Sequence, residues 1–207
     1  MDGVVILPEQ SLFIEIKNKI RIITDLLSDL QRILFKPISN QEVWLKQLNN
    51  SIKFIEWTIS KYKLQFNGIP KHIYKKDIFY CKLGFNIGSE QCGERPVVIL
   101  QNSVNSTVTI VAPITTINGV IEKAEEGHYI IRNIDKDGNE KIKKLDMDIE
   151  IPIEIEKGYR KKITGYVDIG QIRTVSKKRL DKIPVAKITN GTTQLIKNGI
   201  KKLLDIA

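Results

Sequence analysis

The chain has 207 residues, of which 33 are Lys or Arg and 24 are Asp or Glu, so its formal net charge is +9. Hydrophobic residues at 42% and charged residues at 28% exclude general disorder and are typical of a folded globular protein. No apolar run approaches the roughly 20 residues that a membrane-spanning helix needs, and the first residues lack the pattern of a secretory signal. We therefore expect a cytoplasmic protein with reduced cysteines. Its positive charge indicates a polyanionic partner, either nucleic acid or an anionic membrane face.

Residues 9–66 carry the apolar spacing of two long amphipathic helices. In the first helix, apolar residues recur at alternating intervals of three and four, as in the heptad seam of a coiled coil: Phe13, Ile16, Ile20, Ile23, Leu27, Leu30 and Leu34. The second helix repeats this spacing: Leu45, Leu48, Ile52, Ile55, Ile59, Tyr62 and Phe66. Pro37 ends the first helix, and Ser39 or Asn40 caps the second. We predict an antiparallel α-helical hairpin in a domain of residues 1–70, packed on the second domain or on a partner.

After residue 70 the pattern changes to short strands. Apolar and β-branched runs predict strands at residues 77–83, 96–100, 107–113, 149–155 and 166–169. A glycine-rich loop spans residues 84–96, and helical spacing returns at residues 192–205. This pattern predicts an α+β chain in which residues 71–207 form a small closed β-barrel with a C-terminal helix. Residues 71–207 also hold 24 of the 33 basic residues, so the anion-binding surface is expected there.

The stretch of residues 122–148 is too long for a barrel loop, and we predict a β-hairpin insertion there. Its turn also resembles a calcium-binding loop, with Asn133, Asp135, Asp137 and Gly138 at positions 1, 3, 5 and 6. Position 12 is Lys144, where such a loop needs a bidentate Glu. An ordinary turn is therefore the favoured interpretation.

Three local features carry candidate chemistry. The glycine-rich loop bears Ser89, Glu90, Gln91 and Arg95, the end of the third strand bears threonine hydroxyls, and a Gln-Ile-Arg-Thr segment follows the last strand. The sequence shows no metal-ligand spacing, no phosphate-binding P-loop and no serine nucleophile motif. We expect no metal and no cofactor.

Three segments in this order resemble the MazF/PemK toxin family: GSEQCGERPVVILQN (88–102), IVAPIT (110–115) and QIRTVSKKRL (171–180). The resemblance covers about residues 76–207. It implies an SH3-like barrel, a homodimer, and a sequence-specific endoribonuclease of a toxin–antitoxin module that cleaves single-stranded RNA. It also implies an acidic, MazE-like antitoxin that fills the RNA groove. The first 70 residues and the insertion have no counterpart in compact members of this family.

By the same resemblance, Arg95 and Thr115 match the catalytic Arg and Thr of the family. The RNA-binding positions it implies are Ser89, Glu90, Gln91, Thr116, Gln171 and Arg173. RNA can be cut without metal by its own 2′-hydroxyl, and the family's products are a 2′,3′-cyclic phosphate and a 5′-hydroxyl. An Arg pKa above about 12 makes Arg95 a poor proton acceptor, so electrostatic stabilisation is its expected role. His72 or His128 is a candidate for proton transfer, although nothing in the sequence places either histidine at the site.

Several alternatives stay open at this stage. Arg95 can instead form a surface ion pair with a neighbouring Glu, and Gln171 and Arg173 can brace the loop rather than touch RNA. Lys177, Lys178 and Arg179 either meet backbone phosphates or form a solvated basic run. The barrel can also be a non-enzymatic nucleic-acid-binding module or a gyrase inhibitor, although the chain lacks the C-terminal Trp-Gly-Ile of the latter. The hairpin has three candidate roles: bracing a dimer, docking the antitoxin, or inhibiting the site.

Overall fold

A computed structural model describes residues 8–124, 128–134, 138–156 and 163–206, with side chains described from residue 12 onward. Its helices are α1 (Pro8–Leu34), α2 (Gln41–Leu64) and α3 (Asn190–Leu203). Its strands are β1 (Asp77–Gly84), β2 (Gly93–Asn102), β3 (Val108–Thr116), β4 (Val120–Lys123), β5 (Tyr129–Ile134), β6 (Glu140–Lys144), β7 (Glu150–Pro152), β8 (Gly165–Asp168), β9 (Arg173–Ser176) and β10 (Ala186–Lys187). None of the described helices combines the length and the apolar character that crossing a membrane requires.

The chain forms two compact units, one up to Thr58 and one from Ile59 onward. The predicted domain boundary at residue 70 stays a prediction. In the first unit, α1 and α2 confirm the predicted pair of helices. The cap of α2 is Asn40, whose Oδ1 accepts hydrogen bonds from the backbone N–H groups of Glu42 and Val43 at 3.0 and 3.1 Å. The buried Ser51 hydroxyl donates to the carbonyl oxygen of Leu34 at 3.1 Å and joins the two helices.

The predicted heptad seam is covered only in part. On α1, Leu30 and Leu34 of the seam have reduced exposure, whereas Phe13, Ile20 and Leu27 are 57%, 58% and 61% exposed. On α2 the covered face includes Leu48 and Ile55 of the seam but is turned by about one residue from the predicted one. The α2 residues with reduced exposure are Trp44, Gln47, Leu48, Ser51, Phe54, Ile55, Trp57, Ser60 and Leu64. The spacing correctly predicts an apolar stripe on each helix, but a stripe does not specify what covers it.

The second unit is a curled antiparallel sheet with the strand order β10-β1-β2-β3-β8-β7, and β9 pairs with β3 beside β8. Its two ends meet through an isolated bridge between Ile155 and Ile188. Two backbone hydrogen bonds flank this bridge, from Glu156 to Lys187 at 2.8 Å and from Thr189 to Glu154 at 2.9 Å. With α3 after the last strand, this confirms the predicted fold class of a small barrel with a C-terminal helix, preceded by two helices.

Strand alternation gives the sheet two apolar faces. On β2, Val98 belongs to the core inside the barrel, where Ile114, Val167 and Ile196 of α3 also lie. Its neighbours Val97 and Ile99 belong to a second core on the other face, together with Phe79, Cys81, Leu83, Val111, Val175 and Leu180. The burial of both faces explains why the central residues of these strands are apolar at successive positions, as at 78–81, 96–100 and 110–114.

The predicted insertion is a three-stranded antiparallel sheet of β4, β5 and β6. β5 and β6 form the predicted hairpin, whereas β4 was not predicted. This sheet packs on the barrel through Ile131, Leu145 and the barrel residue Tyr166. The turn of the hairpin, and with it Asp135 and Asp137 of the calcium-loop alternative, lies outside the described residues.

Candidate active site

Two of the predicted site residues, Arg95 and Thr115, belong to neighbouring strands. The pairing of β2 with β3 ends at Val97 opposite Pro113, and Arg95 and Thr115 each lie two residues beyond this pair, where Arg95 pairs with Cys81 of β1 and Thr115 pairs with Tyr166 of β8. Residues two apart on a strand share a face, so both side chains are on the face of Val97 and Val111. Both are half-buried, at the edge of the second core.

The glycine-rich loop predicted at residues 84–96 is shorter in the structure, because β2 begins at Gly93 and includes Arg95. Its residues 85–92 are braced by Gln91 and Gln171. The backbone N–H of Gln91 donates to Oε1 of Gln171 at 2.5 Å, and its side-chain Nε2 is 3.3 Å from Oγ1 of Thr115. Nε2 of Gln171 donates to the Ser89 carbonyl at 3.2 Å, and Arg173 donates to Oε1 of Gln171 at the same distance. One chain of hydrogen bonds therefore connects the loop, the end of β3 and the turn before β9.

Among the described residues, Arg95 is fixed beside this loop through one of its nitrogens. Its Nε donates to the carbonyl oxygen of Cys92 at 2.9 Å. Within the described ranges it makes no ion pair with a carboxylate, so the surface ion pair considered from the sequence is absent there. The two terminal nitrogens of the guanidinium keep the planar geometry that suits phosphate oxygens.

Four of the remaining predicted residues line the rim of the site. Ser89, Glu90, Gln171 and Arg173 border an open cleft of about 540 Å³ together with Gly170 and Ile172. Thr116 is exposed at the end of β3 and is not part of that cleft. Thr115 borders a second cleft, of about 610 Å³, on its other side. A larger cleft of about 740 Å³ lies elsewhere on this unit, at residues 64–72 and 178–184, and shares no lining residue with these two.

Asp168, at the end of β8, is a titratable group at the site that sequence reasoning missed. Burial raises the pKa of this carboxyl above its ordinary value, although hydrogen bonds from the Gln91 side chain and the Gly170 backbone act in the opposite direction. Oε1 of Gln91 is buried and has no hydrogen-bond partner within the described part of the chain. The only sequence signal for Asp168 was its position at the end of a predicted strand, three residues before Gln171.

Gly165 is a second residue that sequence reasoning missed. It begins β8 and pairs with Thr116 of β3. A Cβ atom at this position would lie 2.1 Å from the carbonyl oxygen of Thr115, which no side chain tolerates. Gly165 therefore allows the close approach of β8 that supports the Thr115 backbone.

The basic run Lys177, Lys178 and Arg179 is tied to the fold by hydrogen bonds. Lys177 is 3% exposed, and its Nζ donates to the Ser103 carbonyl at 2.6 Å. Lys178 and Arg179 are partly exposed; Lys178 donates to the carbonyl of Gln65, and Arg179 donates to that of Leu83 at 3.0 Å. These bonds join segments of the fold, and contact of Lys178 or Arg179 with backbone phosphates stays a prediction.

The cysteines and histidines are not at the centre of the site. Burial raises the pKa of the Cys81 thiol to about 12, so it packs as a neutral group in the second core. Cys92 is an exposed thiol in the loop. The His72 ring stacks on Tyr74 with 6.3 Å between ring centroids, and His128 directly precedes β5. Neither histidine lines the two clefts beside Thr115 and Gln171.

Comparison with known proteins gives one match that spans most of the second unit. The family model of PemK-like, MazF-like toxins of type II toxin–antitoxin systems matches residues 74–204. No curated protein sequence matches the chain at a significant level.

Among solved structures, the chain is similar to MazF of Deinococcus radiodurans, with 14% identity, 68% of this chain and 100% of that chain covered, and a TM-score of 0.43. It is also similar to an endoribonuclease from a mycobacterial species, with 14% identity and a TM-score of 0.40. That match covers 68% of this chain and 96% of the mycobacterial chain. A third match is to a chain of a MazE–MazF structure from D. radiodurans, with 13% identity and a TM-score of 0.40. It covers 68% of this chain and 100% of that chain.

The assignment to a family depends on the family model, which covers well over half of the chain and contains all three sequence segments in which the resemblance was seen. The two helices α1 and α2 precede the matched region, as predicted from the sequence. The chain belongs to the family of PemK-like, MazF-like toxins of type II toxin–antitoxin systems.

Proposed function

We propose that this chain is a sequence-specific, metal-independent endoribonuclease that cleaves single-stranded RNA to 2′,3′-cyclic phosphate and 5′-hydroxyl ends. The single observation that best supports this proposal is the hydrogen bond from Gln91 to Thr115, because the same loop holds Arg95 through the Cys92 carbonyl. A guanidinium and a hydroxyl on adjacent strands can both donate to the oxygens of one phosphate.

In this reaction the 2′-oxygen of one nucleotide attacks the adjacent phosphorus, and the bond from phosphorus to the 5′-oxygen breaks. A proton leaves the 2′-oxygen, and a proton is delivered to the 5′-oxygen. The phosphorane gains negative charge on its equatorial oxygens. The terminal nitrogens of Arg95 stabilise this charge, because Nε alone is occupied by the Cys92 carbonyl. Removing one such donor in comparable oxyanion sites costs about 3 kcal/mol of transition-state stabilisation.

Thr115 supplies the second donor. Its Oγ1 accepts from Nε2 of Gln91, which leaves the hydroxyl hydrogen of Thr115 to donate to a phosphate oxygen. Gln91 thereby sets the direction of the Thr115 hydroxyl. Around this pair, Ser89, Glu90, Gln171 and Arg173 border an open cleft, and such polar side chains can bind the base edges of splayed single-stranded RNA. Thr116, exposed beside Thr115, is the remaining proposed RNA contact.

The same proposal includes the partners that the family implies. The active form is a homodimer in the cytoplasm, and an acidic, MazE-like antitoxin occupies the RNA groove when the toxin is inhibited. The net charge of +9 supports a polyanionic substrate and an acidic inhibitor alike.

The test is cleavage of a long RNA by the purified full-length protein in EDTA, with the cut ends mapped. We expect cuts at one short motif that carry cyclic phosphate, and Arg95→Ala should reduce the rate by at least 100-fold. Arg32→Ala is the matched control, because Arg32 is an exposed residue of α1 that pairs with Asp29. Absence of cleavage by the wild-type protein would overturn the proposal, and activity that requires added Mg²⁺ would overturn its metal independence.

A further inference from the structure

The largest of the three clefts lies between residues 64–72, which lead from α2 to the barrel, and residues 178–184, and we name it the linker cleft. Its volume is about 740 Å³, within the range of ligand-binding sites. Leu64 and Pro70 are buried and anchor the first wall. The backbone N–H of Asp181 donates to the β1 backbone at 3.0 Å and anchors the second. Lys178 joins the two walls by donating to the carbonyl oxygen of Gln65, so the cleft is a fixed part of the second unit.

Positive charge dominates the lining of the linker cleft. Its lining has one acidic residue, Asp181, and five basic residues: Lys71, Lys82, Lys178, Arg179 and Lys182. The cleft at Ser89 has one basic and one acidic lining residue, and the cleft beside Thr115 has two basic and one acidic. Of the three clefts, the linker cleft therefore has by far the largest excess of positive charge.

Two of these lysines carry charge that carboxylates do not cancel. Lys71 and Lys182 are exposed, and within the described ranges neither forms an ion pair. Lys82 contributes less, because Glu94 is its cross-strand partner on β2. Lys178 and Arg179 already donate to backbone carbonyl oxygens. An anion that enters the cleft is therefore expected to meet Lys71 and Lys182 first.

Aromatic rings accompany these cations. The Phe66 side chain lines the cleft and is 74% exposed, and its ring makes an edge contact with Tyr62 at 5.4 Å between centroids. His72 lines the cleft as well, and its ring stacks on Tyr74 with the two planes 7° apart. Exposed rings among cations are typical of surfaces that bind single-stranded nucleic acid, because the cations meet phosphates and every base has a face that stacks. This combination favours RNA over an acidic protein segment, which needs the cations but not the rings.

The linker cleft lies close to the candidate active site. Leu180 of the cleft is bridged to Cys81 of β1, and Cys81 pairs with Arg95 of β2. Neighbouring strands are about 4.8 Å apart, so the backbone of Leu180 is about 10 Å from that of Arg95. One RNA strand can therefore contact both places. The wall of residues 64–72 precedes residue 74, where the family match begins, so this part of the cleft is additional to the family domain.

We propose that the linker cleft is a second RNA contact, which binds a single-stranded flank of the substrate outside the cut site. Lys71 and Lys182 contact phosphates of this flank, and Phe66 and His72 stack on its bases. The inference rests on the proposed function and deepens it, because the RNA bound here is the substrate of Arg95 and Thr115. Contacts with phosphates and base faces tolerate any sequence, so the cleft adds affinity for longer RNA and leaves the cleavage motif unchanged.

The test is binding of labelled RNA to the full-length protein, measured by fluorescence anisotropy. One probe is a short RNA with the mapped cut site, and two others extend it with oligouridine on the 5′ or the 3′ side. The nucleotide that attacks is 2′-deoxy in all three probes, so binding is measured without cleavage. Lys71→Met/Lys182→Met removes two exposed charges and keeps the side-chain stems. Phe66→Leu removes an exposed ring and keeps an apolar side chain.

Matched controls change the same residue types elsewhere. Lys144→Met/Lys197→Met removes two exposed lysines, on β6 and α3, that line none of the three clefts. Phe35→Leu replaces an exposed phenylalanine between α1 and α2. Both control proteins should bind all three probes as the wild type does.

We expect Lys71→Met/Lys182→Met to bind one of the two extended RNAs about 10-fold more weakly and the short RNA within twofold of the wild type. On that extended RNA, the slope of log affinity against log salt should become shallower by about 1.4, which is about 0.7 for each lost phosphate contact. Phe66→Leu should lower the same affinity by about 5-fold or more and leave the salt slope unchanged, because stacking involves no charge.

Wild-type affinity of Lys71→Met/Lys182→Met for both extended RNAs, or an equal loss on the short RNA, would overturn the second contact. So would a double variant that keeps its affinity for RNA but loses affinity for oligoglutamate, because the cleft would then serve an acidic protein segment. A wild-type protein that binds RNA but cleaves none would overturn the proposed function instead. Oligouridines of increasing length would then replace the extended probes, and the same variants would still decide whether the cleft binds RNA.

Discussion

At the scale of single residues, Gln171 has the most contacts to the candidate site without belonging to the proposed reacting pair. Its amide accepts from the Gln91 backbone and from Arg173, and donates to the Ser89 carbonyl. The sequence left open whether Gln171 and Arg173 touch RNA or brace the loop. These hydrogen bonds show that Gln171, with Arg173 bound to it, braces the loop. Contact of the same side chains with RNA stays a proposal.

Gln171→Ala should therefore reduce activity as well as stability. A hydrogen bond contributes about 1 kcal/mol net to folding, so we expect a loss of 1–2 kcal/mol in the free energy of unfolding. We expect kcat/KM to fall by about 10-fold or more, because the loop no longer holds Gln91 against Thr115. Denaturant unfolding and RNA cleavage measure the two effects. Gln194→Ala on α3 is the control and should leave cleavage unchanged, because Gln194 is exposed and donates to Asn198 of the same helix. An unchanged kcat/KM in Gln171→Ala would contradict the bracing role.

At the scale of elements, the packing of β8 on β3 depends on Gly165. A methyl group at this position meets the Thr115 carbonyl at 2.1 Å, and the atom it meets is backbone, so the strands themselves must move. We expect Gly165→Ala to lower the free energy of unfolding by about 2–3 kcal/mol, as for other overpacked positions. The rate of RNA cleavage should fall by more than the loss of folded protein explains, because the displaced carbonyl belongs to Thr115.

Gly191→Ala on α3 is the matched control for this prediction. A Cβ atom at Gly191 meets only Oγ1 of Thr189, at an ordinary 3.7 Å, and alanine favours the helix. This variant should be as stable as the wild type or more stable. Urea unfolding of the two variants measures their free energies of unfolding. A Gly165→Ala protein with wild-type stability would refute the inference that β8 approaches the Thr115 backbone too closely for a side chain.

The elements that the sequence predicted correctly are those whose signals are local. The apolar run around Val97 and Val98 predicted β2, and the cap at Asn40 and the spacing of Leu195, Ile196 and Ile200 predicted two of the helices. β9 was missed because only Val175 is buried in its four residues, and β10 because it has only two residues. Both strands depend on partners distant in the chain, which no local pattern encodes.

For the candidate site, too, the sequence predicted individual residues but not the contacts between distant segments. The resemblance identified Arg95, Thr115 and Gln171 as candidate site residues, each in one of three segments that follow in the family's order. In the structure, the loop that holds Arg95 contacts both Thr115 and Gln171 through Gln91. The bond from Gln91 to Gln171 joins residues 80 positions apart, so it follows from the way the sheet curls and not from either segment. Asp168 and Gly165 were missed for the same reason, since their importance comes from what the curled sheet sets beside them. On α1 only Leu30 and Leu34 of the predicted seam have reduced exposure, because spacing predicts a stripe without its partner.

At the scale of the whole molecule, the two units differ sharply in what holds them together. Among the described side chains up to Thr58, Ser51 alone is buried, and the apolar stripe of α1 is more than half exposed at Phe13, Ile20 and Leu27. The second unit has two apolar cores on β1 to β3, with Phe79, Val97 and Val98 fully buried. Local opening costs less free energy where few apolar contacts must be broken.

Amide hydrogen exchange of the full-length protein should therefore separate the units. We expect the amides of α1 to exchange at least 100-fold faster than those of β1, β2 and β3, because an opening of α1 exposes little that is not already exposed. The measurement is made at two protein concentrations that differ by 10-fold, with exchange read by mass spectrometry of peptides from residues 12–34 and 77–102. Protection of α1 equal to that of β2 would contradict this expectation and would show that its apolar stripe is covered in solution. Protection that rises with concentration would identify the cover as a second copy of the chain, because only association depends on concentration in this way.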